Sequence, residues 1–228
     1  LELHIEQGPV LDSEGVPLGI VTGIPGSRRL RAARVVGETN HSGATPRKYR
    51  RDAAIALAEL AHRIDDRWAV LDAQGHALVC TFCVLATTAD AGFTRIAGEA
   101  EFQLDVRSVN PRSVDAVMET LYEIIPGIEA RRGVRFELGA ETGSRAAPMD
   151  AGIQAALARA ADALGIRHRA MASGGGHDAA AFVQAGIPAG MIFVRNQNGS
   201  HNPHEAMRMD DFAAACAVVT RWAAEMAQ

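Results

Sequence analysis

Between residues 24 and 139 the hydrophobic period of the chain changes repeatedly, and the order of the changes leaves few folds open. Residues 17–24 and 28–37 are apolar and β-branched between Gly and Pro breaks, which reads as strand. A loop of turn formers follows at Asn40–Pro46. From Arg51 onward Ala54, Leu57, Ala58, Ala61 and Ile64 recur at helical spacing. Strands are expected at 76–86 and 99–107, separated by a loop at 87–98. Pro111 suits the first turn of a helix reaching about residue 125, where Pro126-Gly127 should end it. One more strand is expected at 133–139. The order β-α-β-β-α-β implies an α+β unit, a four-stranded antiparallel sheet with two helices on one face.

The flanks follow a different rule. Residues 2–6 suit a short strand ending at Gly8-Pro9, and 150–164 an Ala-rich helix. Beyond lie a strand at Arg167–Met171, the glycine run Ser173–Gly176, a helix from Asp178, a strand at Ile187–Val194, a polar loop at Asn196–His204 and a helix from Asp210. Strand and helix alternate as in an α/β domain with a mostly parallel sheet. The expected division is therefore 1–23 and 140–228 as pieces of one α/β domain, with 24–139 inserted between them. The outer pieces carry few strands for a parallel sheet covered on both faces. With an opening Leu-Glu-Leu-His-Ile that starts in mid-strand, this leads us to expect further sequence upstream.

Composition narrows the function classes. Of 228 residues, 48% are hydrophobic and 22% charged, which suits a packed globular chain. The formal net charge of −4 gives no global basic field for nucleic acid or an anionic membrane. No apolar run is long enough to span a bilayer. Three cysteines are too few for a disulfide scaffold. Cys80 and Cys83 form a C-x-x-C pattern, but on a strand such residues face opposite ways, so ordinary packing is expected rather than chelation.

Five places could carry chemistry. His4 stands at a strand end beside a Gly-Pro turn, where an imidazole can reach a cleft or simply lie on the surface. His201, with His204 and Glu205 close in sequence, follows a strand at the sheet edge where open α/β folds bind ligands; imidazole and carboxylate suit zinc or manganese, and a solvated loop fits as well. Ser173-Gly-Gly-Gly-His-Asp178 lies between strand and helix, so Gly175 and Gly176 could let a ligand approach backbone, while Asp178 could cap the helix. His41 sits in a turn-rich loop ahead of a helix. Arg107 ends a strand and could bind a carboxylate bidentately or pair with Asp105 or Glu101.

Taken together, Glu2–Pro9 (ELHIEQGP), Gly37–Ala53 (GETNHSGATPRKYRRDA), Phe102–Ser108 (FQLDVRS), Ser173–Ala180 (SGGGHDAA) and Gly199–Glu205 (GSHNPHE) resemble the hydantoinase/carbamoylase branch of the M20-type metallopeptidases. That branch contains N-carbamoyl-L-amino-acid hydrolases, β-ureidopropionases, and allantoate and ureidoglycolate amidohydrolases. The resemblance implies a metal-dependent amidohydrolase cleaving carbamoyl or ureido C–N bonds, with an M20 aminoacylase or dipeptidase and a non-catalytic dimerisation module as alternatives. It implies two divalent ions, Zn²⁺ or Mn²⁺ with Co²⁺ or Ni²⁺ also suited, with His4 and His201 each a terminal ligand of one. Gln7, Thr94, Gly175 and Gly176 would contact substrate, and Arg107 would clamp its carboxylate. His41 would stabilise the oxyanion, in its own subunit or the partner's. The insert would be a lid through which a cytoplasmic homodimer forms. Thr94 stands where the family usually has Asn, which removes a paired donor and acceptor. The family's remaining metal ligands and its general-base Glu precede ELHIEQGP, so this chain is expected to carry part of a site and to be inactive alone. The polar run Arg195–Asn198 favours allantoate-type substrates.

Overall fold

Alternation along the Glu99–Ser108 strand sets the architecture of the insert: Ala100, Phe102, Leu104, Val106 and Ser108 are buried while the residues between them face out. The computed structural model describes residues 1–227. It divides into two compact units, one of residues 26–145 and one of residues 1–25 with 146–227.

In the inserted unit, an antiparallel sheet runs in the order Glu141–Ser144, Gly26–Val36, Glu99–Ser108, Leu78–Thr87, with Arg135–Glu137 also paired to Gly26–Val36. The sheet thus has five strands where four were expected. Residues 141–144, expected to belong to the flanking domain, are exposed and pair backbone to backbone with Ser27–Leu30. That pairing carries the unit to Arg145 rather than 139. Helices Ala53–Ala73 and Pro111–Arg132 cover one face. Their buried Leu57, Leu60, Ile64, Val117, Met118 and Leu121 join Phe102, Leu104 and Val106 in one core. Asp52 and Asn110 cap them, accepting from the N–H groups of Ile55 and Arg112 at 3.1 Å each.

The second helix corrects the expected stop at Pro126. It continues to Arg132 with Pro126 inside, ending at Gly133 in the left-handed region at φ 63°. Pro126 lies on the exposed face while Ile125 and Ile128 are buried beside it. The apolar contacts of the next turn outweigh the lost backbone bond.

The flanking unit has a four-stranded sheet in the order Glu2–Ile5, Met191–Val194, Leu18–Val21, His168–Met171. Its two outer pairings are parallel and the central one antiparallel. Leu18, Ile20, Ile192 and Val194 pack on one side with Leu157, Ala160, Ala215 and Val218, from helices Ala151–Ala163 and Met209–Met226. Val21, Met191 and Phe193 pack on the other with Leu11 and Ala179. Both faces are therefore covered, although four strands had seemed few. The expected strand at 17–24 divides: Gly23–Ile24 leaves the sheet and pairs with Ala147–Pro148. Ile187 to Gly190 also stay outside, so that strand is Met191–Val194. Among the described residues no helix is long and apolar enough to cross a membrane.

Candidate active site

Strands Glu2–Ile5 and Met191–Val194 run parallel, with His4 opposite Phe193, so the loops after them leave the sheet at the same edge. Glu6 is 7% exposed, and its carboxylate accepts from the N–H groups of Val10 and Leu11 at 2.9 and 2.8 Å. It therefore caps the short helix Val10–Glu14 that follows the turn. A Cβ on Gly8 would meet Glu6 Oε1 at 2.8 Å, which explains the glycine. Chain reversal at this carboxylate throws Gln7 into the left-handed region, φ 62°.

Asn196 ties this loop to the next. It is 1% exposed; its Oδ1 accepts from Gln7 N–H at 2.9 Å and its Nδ2 donates to the Gly199 carbonyl at 2.9 Å. Gln7 Nε2 donates to Ser200 Oγ at 3.2 Å, and His201 N–H donates to Glu205 Oε2 at 3.0 Å. The Ser200 hydroxyl, with the His201 N–H and the His201 and His4 imidazoles, holds the Glu205 carboxyl below its usual range. Among the described residues, the non-glycine positions with positive φ are Gln7, Asn198 and His201, at 62°, 64° and 59°. All three lie in these two loops, and such backbone concentrates at functional sites.

His4 Nδ1 lies 2.7 Å from the Ile5 carbonyl. A carbonyl only accepts, so Nδ1 carries the proton and Nε2 keeps a free lone pair, as a metal-ligating imidazole needs. The His177 ring stands edge-on to it with centroids 4.7 Å apart. Burial, with His4 adding, pushes the His177 imidazole down. His177 Nε2 is 2.9 Å from Ser173 Oγ, and that hydroxyl also accepts from Gly175 N–H at 3.1 Å. Asp178 makes no side-chain cap; Glu2 accepts from Ala179 N–H at 2.7 Å instead. A Cβ on Gly175 would lie 3.8 Å from Gln7 Oε1, and one on Gly174 or Gly176 would meet nothing within 4 Å. Neither packing nor left-handed backbone demands this glycine run.

Within the flanking unit the structure thus gathers Gln7, Gly175 and Ser200, with His201 tied to Glu205 through its N–H. As for a metal, His4 Nε2 is suitably presented. Among the described residues, however, no group of three or more His, Cys, Asp and Glu could hold an ion. The donors fit as partial ligands and do not complete a shell.

In the inserted unit, Asn40–His41 pairs with Arg95–Ile96, and Ser42 N–H donates to the Thr94 carbonyl at 2.9 Å. His41 and Thr94 are therefore neighbours. His41 Nδ1 accepts from the N–H groups of Gly43 and Ala44 at 3.1 and 3.0 Å. Two donors fix Nδ1 as unprotonated, so Nε2 carries the proton on an exposed ring. Arg50 braces this loop, donating to the carbonyls of Thr45, at 2.8 Å, and Ser42.

Arg107 lies elsewhere in this unit, on the sheet. Its Nε and Nη2 donate to Asp105 Oδ2 at 3.0 and 2.6 Å, so its partner is Asp105 and not Glu101. Cys80 is buried and Cys83 exposed, in keeping with opposite strand faces.

Glu6 and Arg50 were not singled out from the sequence, and Asn196 only as one of a polar run. Only the Glu6-Gln-Gly-Pro9 turn carries a local signal for one of them, a carboxylate ahead of a helix start. The polarity of Arg195 and Asn196 also changes meaning. Arg195 pairs bidentately with Asp211 at 2.9 and 3.0 Å and Asn196 bridges the loops, so both are engaged internally and say nothing about an allantoate preference.

The model of peptidase family M20/M25/M40 matches residues 1–225. The chain is 34% identical over 222 residues to an N-carbamoyl-L-amino-acid amidohydrolase of Paenarthrobacter aurescens, covering 97% of this chain and 52% of that protein. It is 31% identical to an allantoate amidohydrolase of Escherichia coli, covering 93% of this chain and 51% of that protein. A crystal structure of a hydantoinase/carbamoylase family amidase from Burkholderia phymatum superimposes with a TM-score of 0.87 at 34% identity, covering 99% of this chain and 54% of that one. The chain spans about half the length of the curated relatives it matches.

Proposed function

This chain belongs to peptidase family M20/M25/M40, and from that premise we propose that it is part of a metal-dependent amidohydrolase acting on carbamoyl or ureido C–N bonds. The substrate class is N-carbamoyl-L-amino acids or allantoate-like ureido acids, the compounds named for its relatives. The observation that carries the reading is the His4 tautomer, locked by the Ile5 carbonyl so that Nε2 is free to ligate.

In this reading His4 and His201 are terminal ligands, one to each of two divalent ions; Zn²⁺ and Mn²⁺ suit them, as do Co²⁺ and Ni²⁺. Bound ions would supply an activated water near neutral pH and polarise the scissile carbonyl. Arg107 receives the substrate carboxylate on its guanidinium fork. Gln7 and the backbone of Gly175 and Gly176 orient the ureido group, and the Thr94 hydroxyl adds one hydrogen bond. His41 donates its Nε2 proton in a hydrogen bond to the developing oxyanion, in its own subunit or a partner's. The inserted unit acts as lid and homodimer contact. Its Leu78–Thr87 edge strand carries no charged residue, which leaves a pairing edge unprotected.

The test is a substrate panel on a protein joining this chain to the remaining metal ligands. It should release ammonia from N-carbamoyl-L-amino acids or allantoate, and His4→Ala should abolish turnover. Preferential cleavage of N-acetyl amino acids or dipeptides would replace the reading with an aminoacylase or dipeptidase. The 228-residue chain alone should bind Zn²⁺ weakly and turn over none of these; calorimetry showing submicromolar Zn²⁺ affinity would contradict that part.

A further inference from the structure

On the helix-free face of the inserted sheet, two guanidinium groups converge on one carboxylate. Arg107 donates through Nε and Nη2 to Asp105 Oδ2, and Arg29 Nε lies 3.2 Å from the same oxygen. Register explains the grouping: Arg29 is directly opposite Asp105 on the neighbouring strand, and Arg107 follows Asp105 by two on the same face. The trio lines an open depression of about 480 Å³ with Arg31, Cys83 and Gln103. The side chain of Asp105 is 14% exposed, against 25% for Arg29 and 31% for Arg107. Its Oδ1 is buried without a partner, so its bonding goes entirely to the two arginines through Oδ2.

The charge count decides what this cluster can do. An arginine paired one-to-one with a carboxylate is neutralised as a pair and has little attraction left for a second anion. Here two cations share one anion, so the cluster keeps a net positive charge. Geometry adds direction. A guanidinium can grip a carboxylate along its Nε–Nη2 side or end-on through Nη1 and Nη2. Asp105 occupies the side edge of Arg107, and among the described residues Nη1 takes no protein hydrogen bond. The end-on edge therefore stays open.

We propose that Asp105 and Arg29 are positioning and specificity residues for Arg107: Asp105 fixes the guanidinium so that its end-on edge meets a substrate carboxylate, and Arg29 offsets the charge of Asp105 so that the cluster still attracts that carboxylate. This rests on the reading that Arg107 receives the substrate's carboxylate. Burial alone would raise the Asp105 carboxyl, but the hydrogen bonds from Arg107 and the charge of both arginines hold it below its usual range, so Asp105 is ionised at neutral pH.

The test titrates the 228-residue chain with N-carbamoylglycine and with its carboxamide, following arginine Nε–Hε resonances by NMR, with circular dichroism as the check on folding. Arg29→Gln should raise the Kd of the carboxylate about tenfold and leave the carboxamide unaffected. Combining Arg29→Gln with Asp105→Asn removes both charges but keeps a side-chain oxygen that can accept from Arg107, and should restore the Kd to within about threefold of the parent. A purely structural role for Arg29 predicts the opposite, a further loss in the double variant. Arg29→Lys keeps the charge and should bind within about threefold of the parent; it decides the matter if Arg29→Gln does not fold, since a tenfold loss in folded Arg29→Lys would contradict the proposal. An unchanged Kd in Arg29→Gln, a double variant weaker than the single one, or a parent whose Arg107 resonance ignores the carboxylate overturns it. Those failures leave the reaction class untouched, because that is read from turnover. Conversely, a longer protein without turnover whose Arg107 still binds carboxylate would remove the functional reading and leave the clamp standing.

Discussion

In the flanking unit, Gln7, Asn198 and His201 sit in left-handed backbone, and the buried amide of Asn196 joins the Gln7 loop to Gly199 in the other. In the inserted unit, Arg107 and Arg29 lie on regular strand over a large apolar core, held by one carboxylate. The first arrangement builds its site into the loops, so the site and local stability depend on the same buried polar groups. The second separates them: the charged cluster stands on one face of the sheet while the opposite face packs. Perturbing each unit should therefore give different patterns.

The largest expected effect is on the inserted core. Phe102 is 1% exposed and packs against Phe82 and Phe136. Phe102→Ala should cost about 3–5 kcal/mol of that unit's stability. Trp68 packs on this core and Trp222 on the flanking one, so single-tryptophan variants can follow each unit through urea unfolding. The Trp68 transition should move and the Trp222 transition should stay; if both shift together, the two units unfold as one and the comparison fails.

Next in size is Asn196→Ala. It leaves the Gln7 N–H and the Gly199 carbonyl without their partner, at about 2–3 kcal/mol, and should move the Trp222 transition instead. A loss under about 0.5 kcal/mol would mean that the loops do not depend on this amide.

A smaller effect, read by chemistry, tests the two faces of the inserted sheet. Burial, with Asp65 and Asp105 adding, pushes the Cys80 thiol up to about 12, whereas Cys83 is exposed. At pH 8 iodoacetamide should label Cys83 in the native protein and Cys80 only in urea, as peptide mass spectrometry would show. The folded-state value of Cys80 lies above the unfolded one. Its contribution to stability is therefore complete below about pH 8.5 and is lost as pH rises toward the folded value. Equal labelling of both cysteines in the native state would contradict the facing of this strand.

Much of this was legible because it depends on local periodicity. The β-α-β-β-α-β order of the insert follows from Ala54, Leu57, Ala58, Ala61 and Ile64 at helical spacing and from alternation along 99–107. The candidates His4, His41 and His201 stand in short segments whose turn chemistry is visible in the letters. Pro126 misled because its exposed side of the helix could not be known before packing. Residues 141–144 misled because edge pairing uses backbone groups that every residue has.

What the sequence determined by itself is the succession of elements, the family, and which histidines and arginines could carry chemistry. The tertiary structure alone decided their partners. It set the tautomers of His4 and His41 through carbonyls and N–H groups that no motif encodes, made Asn196 the bridge between loops 189 residues apart, and brought Arg29 to Asp105 across a strand pair. Periodicity is written within a few residues of chain, whereas a hydrogen bond between distant segments depends on register and burial, which exist only once the sheet has formed.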